Sequence, residues 1–269
     1  MKPLRVGIAG LGAIGRAIAR KLHQGAVPQV ELAGIAVRDG VRAQVFLDEI
    51  GCGVPIRSVE ELAKDADLVV ECAPAMAFAE IAVPVLSAGK TFMALSAGQL
   101  LERPELIALA QEHGGQIIVP TGALIGLDAV TAAAEGHIHS VSMITRKPVK
   151  GLLGAPYLAK RDIDIANITE PVRIFQGSAR EAARGFPENV NVVAALSLAG
   201  IGPDRTTIEI WADPALTRNV HRVVVESDSA SFEMSIQNIP SENPKTGRIT
   251  ALSALAALRK LRAPLSVGT

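Results

Sequence analysis

LRVGIAGLGAIG, residues 4–15, joins an apolar strand to a glycine-rich turn and then to the start of a helix. The strand Leu4–Ala9 is apolar except for Arg5, and apolar residues recur at helical spacing from Ala13 to His23. The glycines follow the pattern G-x-G-x-x-G, here in the strand–turn–helix context in which that pattern binds a dinucleotide. The stretch therefore predicts a dinucleotide site where the first helix begins.

Each glycine of this turn has its own expected role. Gly10 permits the tight turn, Gly12 lets a pyrophosphate approach the backbone, and Gly15 allows the helix to pack closely on the strand. Ala13 and Ile14 belong to the first helical turn, where free N–H groups and the helix dipole favour a phosphate. We predict that these five residues bind the cofactor.

The end of the second expected strand bears on the choice between NAD and NADP. It reads Ala36-Val37-Arg38-Asp39. Asp39 could bind the ribose hydroxyls of NAD, whereas Arg38 could accept the 2′-phosphate of NADP, and both residues would also suit a solvated loop. We therefore predict NAD or NADP as the cofactor, with Arg38 among the residues that contact it.

The first 120 residues continue to alternate short apolar strands with helices. Further strands are expected at 30–37, 68–72, 91–95 and 117–119, with helices near 58–64, 78–88 and 104–113. Apolar strands separated by helices indicate a parallel sheet that is covered on both faces. The fold class is therefore α/β, with a Rossmann-type doubly wound sheet.

After Gly122 the pattern changes to alternating strands. In 231–239, apolar and polar residues alternate, as is typical of a half-buried antiparallel strand. Similar strands are expected at 140–145, 206–211 and 220–226, with helices at 127–135, 187–198 and 249–261. We predict a dinucleotide-binding domain over 1–121, completed by the C-terminal helix 244–269. Residues 122–243 then form an α+β domain on a largely antiparallel sheet.

Composition excludes several classes of partner. The chain of 269 residues carries 27 Lys and Arg against 27 Asp and Glu, with one Trp, one Tyr and six Phe, so it lacks the charge and the stacking surface for nucleic acid. No apolar run reaches the ~18–20 residues that cross a bilayer. Two cysteines, Cys52 and Cys72, are too few for a zinc site or a disulfide framework. We expect a cytoplasmic protein without a membrane segment or a metal site.

His221 is the candidate for chemistry among the five histidines. It begins a strand and shares an apolar face with Val223 and Val225, a position that suits either a core histidine or a catalytic one. The others lie near helix C-termini or at a helix-to-strand junction: His23, His113, His137 and His139.

Two polar segments have alternative explanations. Asn189 and Asn191 fall in the first turn of an otherwise apolar helix, where an asparagine either caps the helix or faces a cofactor. Residues 243–247, Asn-Pro-Lys-Thr-Gly, offer donors for an anion but also suit a helix-entry loop. Lys147 and Lys245 are the cations nearest to these motifs.

Together these segments resemble the L-aspartate dehydrogenase family over most of the chain. The motifs are 10–15 (GLGAIG), 121–128 (TGALIGLD), 145–148 (TRKP), 186–192 (FPENVNV), 212–214 with 219–221 (ADP and NVH) and 239–247 (IPSENPKTG). The later motifs are far more specific than the glycine pattern. One departure is Val149, where the family often has a second proline after Lys147-Pro148.

The resemblance implies an activity and site residues. The family oxidises L-aspartate to iminosuccinate with NAD or NADP, and the imine hydrolyses to oxaloacetate and ammonia; the reverse reductive amination is also implied. The residue matching His221 is catalytic, and those matching Ala123 and Asn189 contact the nicotinamide coenzyme. The family also implies a homodimer and a supply of iminosuccinate for NAD biosynthesis.

Two other classes remain open at this point. One is a different Rossmann oxidoreductase, such as an imine reductase of the dihydrodipicolinate type or a homoserine-type dehydrogenase. The other is a non-catalytic redox sensor that binds NAD(P)H, which would have no need for His221.

Overall fold

The computed structural model describes residues 2–187, 190–241 and 247–269. The chain divides into two compact units. The first contains the described residues up to Ser96, Arg103–Pro120 and Ala251–Ser266, and the second contains Ala97–Glu102, the described part of Thr121–Thr250, and Val267–Thr269. Asn189 and Lys245, both singled out by sequence, lie outside the described residues.

The first unit is built on a six-stranded sheet in which every adjacent pair is parallel. Its strands are Leu4–Ala9 (β1), Val30–Ala36 (β2), Ile56–Arg57 (β3), Leu68–Glu71 (β4), Thr91–Ala94 (β5) and Gln116–Ile118 (β6). The order is β3-β2-β1-β4-β5-β6, so the direction of winding reverses between β1 and β4. This is the doubly wound Rossmann order, and the predicted fold class is confirmed.

Five helices accompany these strands along the chain, and the last helix of the protein packs on the same core. They are Ala13–His23 (α1), Gly40–Glu49 (α2), Val59–Asp65 (α3), Phe78–Ser87 (α4), Glu105–His113 (α5) and Ile249–Lys260, which is α10 in chain order. Leu255 and Leu258 of that last helix belong to a cluster with Ile8, Ile18 and Ile35 of the first unit. Burial of large aliphatic side chains of this kind stabilises the fold by roughly 1.5–3 kcal/mol each.

The second unit contains a five-stranded sheet of order β11-β10-β7-β9-β8. Its strands are Ile138–Lys147 (β7), Val172–Ser178 (β8), Thr206–Ala212 (β9), Asn219–Ser227 (β10) and Ser231–Asn238 (β11). Only the pair β7–β9 is parallel among these neighbours. The sheet is therefore largely antiparallel, as the alternating pattern predicts.

The described part of the second unit contains the helices Leu127–Ala134 (α6), Pro156–Arg161 (α7), Ala179–Gly185 (α8) and Asn191–Ala199 (α9). The predicted start of α9 at Pro187 is wrong, because Pro187 lies in a turn and the helix begins at Asn191. Asn191 does not cap this helix. Its Oδ1 accepts a hydrogen bond of 3.1 Å from the N–H of Gly98, so it fixes a neighbouring 3₁₀ segment instead.

Two histidines lie at helix ends, and the two cysteines are not paired with each other. His23 and His113 lie in the last turns of α1 and α5, as predicted, and both cysteines are free thiols. Within the described parts of the chain, no helix has the length and apolarity to span a membrane. The same residues contain no cluster of three or more His, Cys, Asp or Glu side chains suited to a metal ion.

Candidate active site and coenzyme site

The glycine turn of the first unit leaves no room for side chains at two of its positions. Gly10 has a φ of 102°, and a Cβ atom there would lie 2.6 Å from the carbonyl oxygen of Cys72. A Cβ atom on Gly15 would lie 2.0 Å from the carbonyl oxygen of Gly10. Only glycine permits this close approach of β1, β4 and α1.

Gly12 differs because nothing lies within 4 Å of the position that its Cβ would take. It is the N-cap of α1, no side chain caps the helix, and the first turn has no acidic residue. The first N–H groups of a helix have no partner within it, so a helix start of this kind favours an anion. An uncapped N-terminus beside open space fits the pyrophosphate of a dinucleotide.

Arg38 and Asp39 follow β2, at the place where this fold binds the adenosine ribose of a coenzyme. Arg38 and Asp39 are both exposed. Asp39 is the N-cap of α2, and its Oδ1 accepts a hydrogen bond of 3.0 Å from the N–H of Arg42. Asp39 therefore has a capping role that the sequence reading did not assign to it, and the preference between NAD and NADP stays open.

A buried polar cluster lies on the inner face of the second sheet. His221 on β10 is directly opposite Thr145 on β7, and Lys147 follows two residues later on the same face. The three side chains are 2%, 1% and 4% exposed. Strand alternation explains the arrangement, because Val223 and Val225 continue the same face into the apolar core.

Hydrogen bonding orients the imidazole of His221. Its Nδ1 lies 3.2 Å from Oγ1 of Thr145. When Nδ1 carries the proton and donates it to Thr145, Nε2 keeps a free lone pair. This pairing thus holds the ring in an orientation that leaves one nitrogen to accept a proton.

Burial controls the charge of this cluster. Desolvation, followed by the positive charge of Lys147, lowers the pKa of His221 to about 3, so the imidazole is neutral near pH 7. Desolvation also lowers the pKa of Lys147 to about 7. The cluster therefore combines a buried neutral base with a lysine that changes its charge near neutral pH, an arrangement suited to accept a proton and to bind an anion.

Asn238, at the end of β11, is a polar residue that the sequence reading missed. It is 3% exposed, and its Nδ2 donates a hydrogen bond of 2.8 Å to the carbonyl oxygen of Ala123. Its buried Oδ1 has no hydrogen-bond partner among the residues described. Asn238 therefore fixes the backbone of Ala123, a predicted coenzyme contact. The sequence signal that could have identified Asn238 is its place at the end of a strand, on the same face as the apolar side chains of that strand.

His137 and His139 do not join this cluster. Their rings lie 5.0 Å apart in an edge-on contact at the start of β7. They are both exposed, at the end of the strand opposite to Thr145. The structure therefore separates them from the buried cluster around His221.

The Rossmann sheet, its glycine turn and the buried histidine define the class: the chain is a nicotinamide-coenzyme-dependent oxidoreductase. Residues 128–261 match the family model described as the C-terminal domain of aspartate dehydrogenase, and residues 10–120 match the NAD binding domain of homoserine dehydrogenase. An L-aspartate dehydrogenase of Bradyrhizobium diazoefficiens is 56% identical over 99% of this chain and 94% of its own. The chain belongs to the L-aspartate dehydrogenase family.

More distant relatives agree with this assignment. An L-aspartate dehydrogenase of Methanocella arvoryzae is 41% identical over 98% of this chain and 99% of its own. The crystal structure of an aspartate dehydrogenase from Thermotoga maritima covers 98% of this chain and 99% of its own, with a TM-score of 0.76 and 24% identity, and supports the fold. The imine reductase and redox-sensor alternatives are not favoured.

Proposed function

We propose that the chain catalyses the NAD(P)-dependent oxidative deamination of L-aspartate, or the reverse reductive amination. The overall oxidation converts L-aspartate and NAD(P)⁺ to iminosuccinate, NAD(P)H and a proton. Water then releases oxaloacetate and ammonia. The observation that carries this proposal is the buried, neutral imidazole of His221 beside the buried amine of Lys147.

The coenzyme would be held mainly by backbone. Gly10, Gly12, Ala13, Ile14 and Gly15 would hold the pyrophosphate at the N-terminus of α1, where the open space at Gly12 suits it. When bound, the nicotinamide ring supplies the acceptor for the two electrons and the hydrogen that leave Cα. Backbone N–H groups, and not charged side chains, would therefore bind the phosphates.

Three further residues are predicted to contact the coenzyme. Arg38 would lie at the adenosine ribose, as its place after β2 predicts. Ala123 and Asn189 would contact the nicotinamide coenzyme, as the family resemblance implies. Support for Ala123 comes from the hydrogen bond that Asn238 donates to its carbonyl oxygen, which fixes this backbone segment.

His221 would act as the general base of the oxidation. Nε2 accepts a proton from the substrate ammonium group, or from the water that attacks the imine, while Thr145 holds Nδ1. In the reverse direction the same nitrogen donates a proton to the nascent amine. The two negative charges of bound aspartate would raise the pKa of His221 from about 3, because they oppose the desolvation and the charge of Lys147 that lower it.

Lys147 would bind a carboxylate of the substrate. Its ammonium form is disfavoured by burial, and a carboxylate would restore that form because an opposite charge raises the pKa of a lysine. Aspartate carries two carboxylates, so a cation close to the base also favours a dicarboxylate over a neutral amino acid.

The proposed activity is tested by following NADH or NADPH formation with a panel of L-amino acids, with NAD and NADP compared side by side. We expect aspartate to give the highest kcat/KM, with oxaloacetate and ammonia as products. Turnover of other amino acids without turnover of aspartate would contradict the proposal. Equal rates with both coenzymes would bear only on the predicted role of Arg38 at the adenosine ribose and not on the proposed activity.

Replacing Lys147 with methionine tests the carboxylate assignment. Loss of one hydrogen bond to a charged group costs about 1.5–3 kcal/mol, so the KM for aspartate should rise ~10–100-fold while NADH affinity stays unchanged. The variant should also shift the acidic limb of the pH profile to higher pH, because the charge of Lys147 lowers the pKa of His221. The matched control is Lys150→Met in the exposed 3₁₀ turn, and equal KM values for both variants would refute the assignment.

We infer that the protein is a homodimer located in the cytoplasm. The outer face of the second sheet supports the dimer, because it carries the half-buried side chains Ile144, Val220 and Val224 next to the Arg222–Glu233 ion pair. Free thiols at Cys52 and Cys72 are consistent with a reducing compartment. Iminosuccinate from the forward reaction could supply NAD biosynthesis.

A further inference from the structure

Glu71 is a buried carboxylate that plays no part in the chemistry described above. It closes β4 and is fully buried in the first unit. Its Oε1 accepts hydrogen bonds of 3.1 Å from both the N–H of Ala73 and the hydroxyl of Ser96, and its Oε2 accepts one of 2.8 Å from the N–H of Ser96. One side chain thus connects the residues that follow β4 and β5.

The surroundings of Glu71 suit its ionised form but also penalise it. Three donors point at its two oxygens, which a carboxylate satisfies best. Burial nevertheless raises its pKa to about 7, since these hydrogen bonds offset only part of the desolvation. The titratable group beside it is the Cys72 thiol. Burial, followed by the negative charge of Glu71, raises the pKa of that thiol. Within the described chain, no Lys or Arg forms an ion pair with Glu71.

The position of Glu71 connects it to the glycine turn. The Cys72–Ala73 peptide, which Glu71 holds through the N–H of Ala73, packs directly on Gly10. A Cβ atom on Gly10 would lie 2.6 Å from the Cys72 oxygen and 2.8 Å from the Ala73 nitrogen. This contact lies between the carboxyl ends of β1 and β4, the point of a doubly wound sheet at which dinucleotides bind.

We propose that Glu71 is a positioning residue for the coenzyme, which ties the Cys72–Ala73 peptide to Ser96 and so fixes the backbone against which the glycine turn packs. The side chain acts through backbone groups and touches neither substrate nor the reacting atoms. The proposal rests on coenzyme binding by the first unit and does not depend on the identity of the substrate.

The experiment is a fluorescence titration of the full-length protein with NADH, without any amino acid, at a series of pH values across neutrality. The wild-type affinity should fall as pH decreases through about 7, because protonation removes an acceptor from the three donors. In Glu71→Gln an amide NH₂ must face a backbone N–H, so NADH should bind ~10-fold more weakly and the dependence on pH should disappear. The control, Glu80→Gln on the exposed side of α4, should behave as wild type.

A second variant keeps the test decisive if Glu71→Gln does not fold. Ser96→Ala removes the hydroxyl donor and leaves the N–H of Ser96 in place, so the charged form of Glu71 is less stabilised and the inflection should move to higher pH. An unshifted inflection in Ser96→Ala, or wild-type affinity and pH dependence in Glu71→Gln, would overturn the proposal. Since no amino acid is present, a failure here is distinct from a failure to oxidise aspartate.

Discussion

His221→Ala should reduce kcat for aspartate by about 10³-fold, within the ~10²–10⁴-fold range that a general acid–base group contributes. The reason is that Nε2 of His221 would be the proton acceptor, in a ring that Thr145 orients through Nδ1, and an alanine side chain cannot accept a proton. The KM for NAD and the affinity for NADH should be nearly unchanged, because the expected phosphate contacts lie in the first unit.

The measurement is a steady-state comparison of His221→Ala with wild type, accompanied by an NADH titration and a thermal unfolding curve. His139→Ala is the matched control, because His139 is an exposed histidine on the same sheet. The assignment of His221 fails if its alanine variant keeps wild-type turnover, or if it loses NADH binding as strongly as turnover.

Gly12→Ala should weaken NADH binding by ~10–100-fold without destabilising the protein. The new methyl group has open space in the free protein, so it meets nothing when the chain folds. It would occupy the place where the pyrophosphate approaches the backbone, and the loss of one charge-assisted hydrogen bond costs about 1.5–3 kcal/mol. The measurement is the dissociation constant for NADH together with the midpoint of thermal unfolding.

Two further alanine variants make this result specific. Gly53→Ala also places its methyl group in open space, but Gly53 belongs to the loop before β3 and not to the glycine turn, so the change should alter neither quantity. Gly15→Ala would bring Cβ to 2.0 Å from the Gly10 carbonyl oxygen, so it should lower both stability and NADH affinity. If Gly12→Ala binds NADH as tightly as Gly53→Ala, the pyrophosphate does not lie at Gly12.

The sequence predicted the helices and strands in which apolar side chains recur at a regular spacing. The run of Leu4–Ala9, its glycine turn and α1 follow directly from apolar periodicity, and so do β10 and β11. Strand β8 was missed because a shift in register between Arg173 and Phe175 breaks its alternation. Helix α8 was missed although Ser178 and Glu181 form a capping box at its start, a signal that was present in the sequence.

Of the candidate site, local patterns predicted the glycine turn and placed His221 on an inward face. They did not predict that Thr145 would lie opposite His221, because this pairing depends on the register of two strands 76 residues apart. Glu71 was missed for a similar reason: its partner Ser96 is 25 residues away, and one acidic residue at a strand end has no pattern of its own. Contacts between distant strands set the chemistry of both residues.

The most direct test of the central claim is the fate of the hydrogen on Cα of aspartate. The protein would be incubated with L-aspartate deuterated at Cα and with NAD⁺. The reduced coenzyme would then be isolated and its mass measured by mass spectrometry. We predict that the reduced coenzyme carries one deuterium from each molecule of aspartate oxidised, and that oxaloacetate and ammonia accumulate in equal amounts. Reduced coenzyme without deuterium, or no reduction at all with either NAD or NADP, would contradict the account.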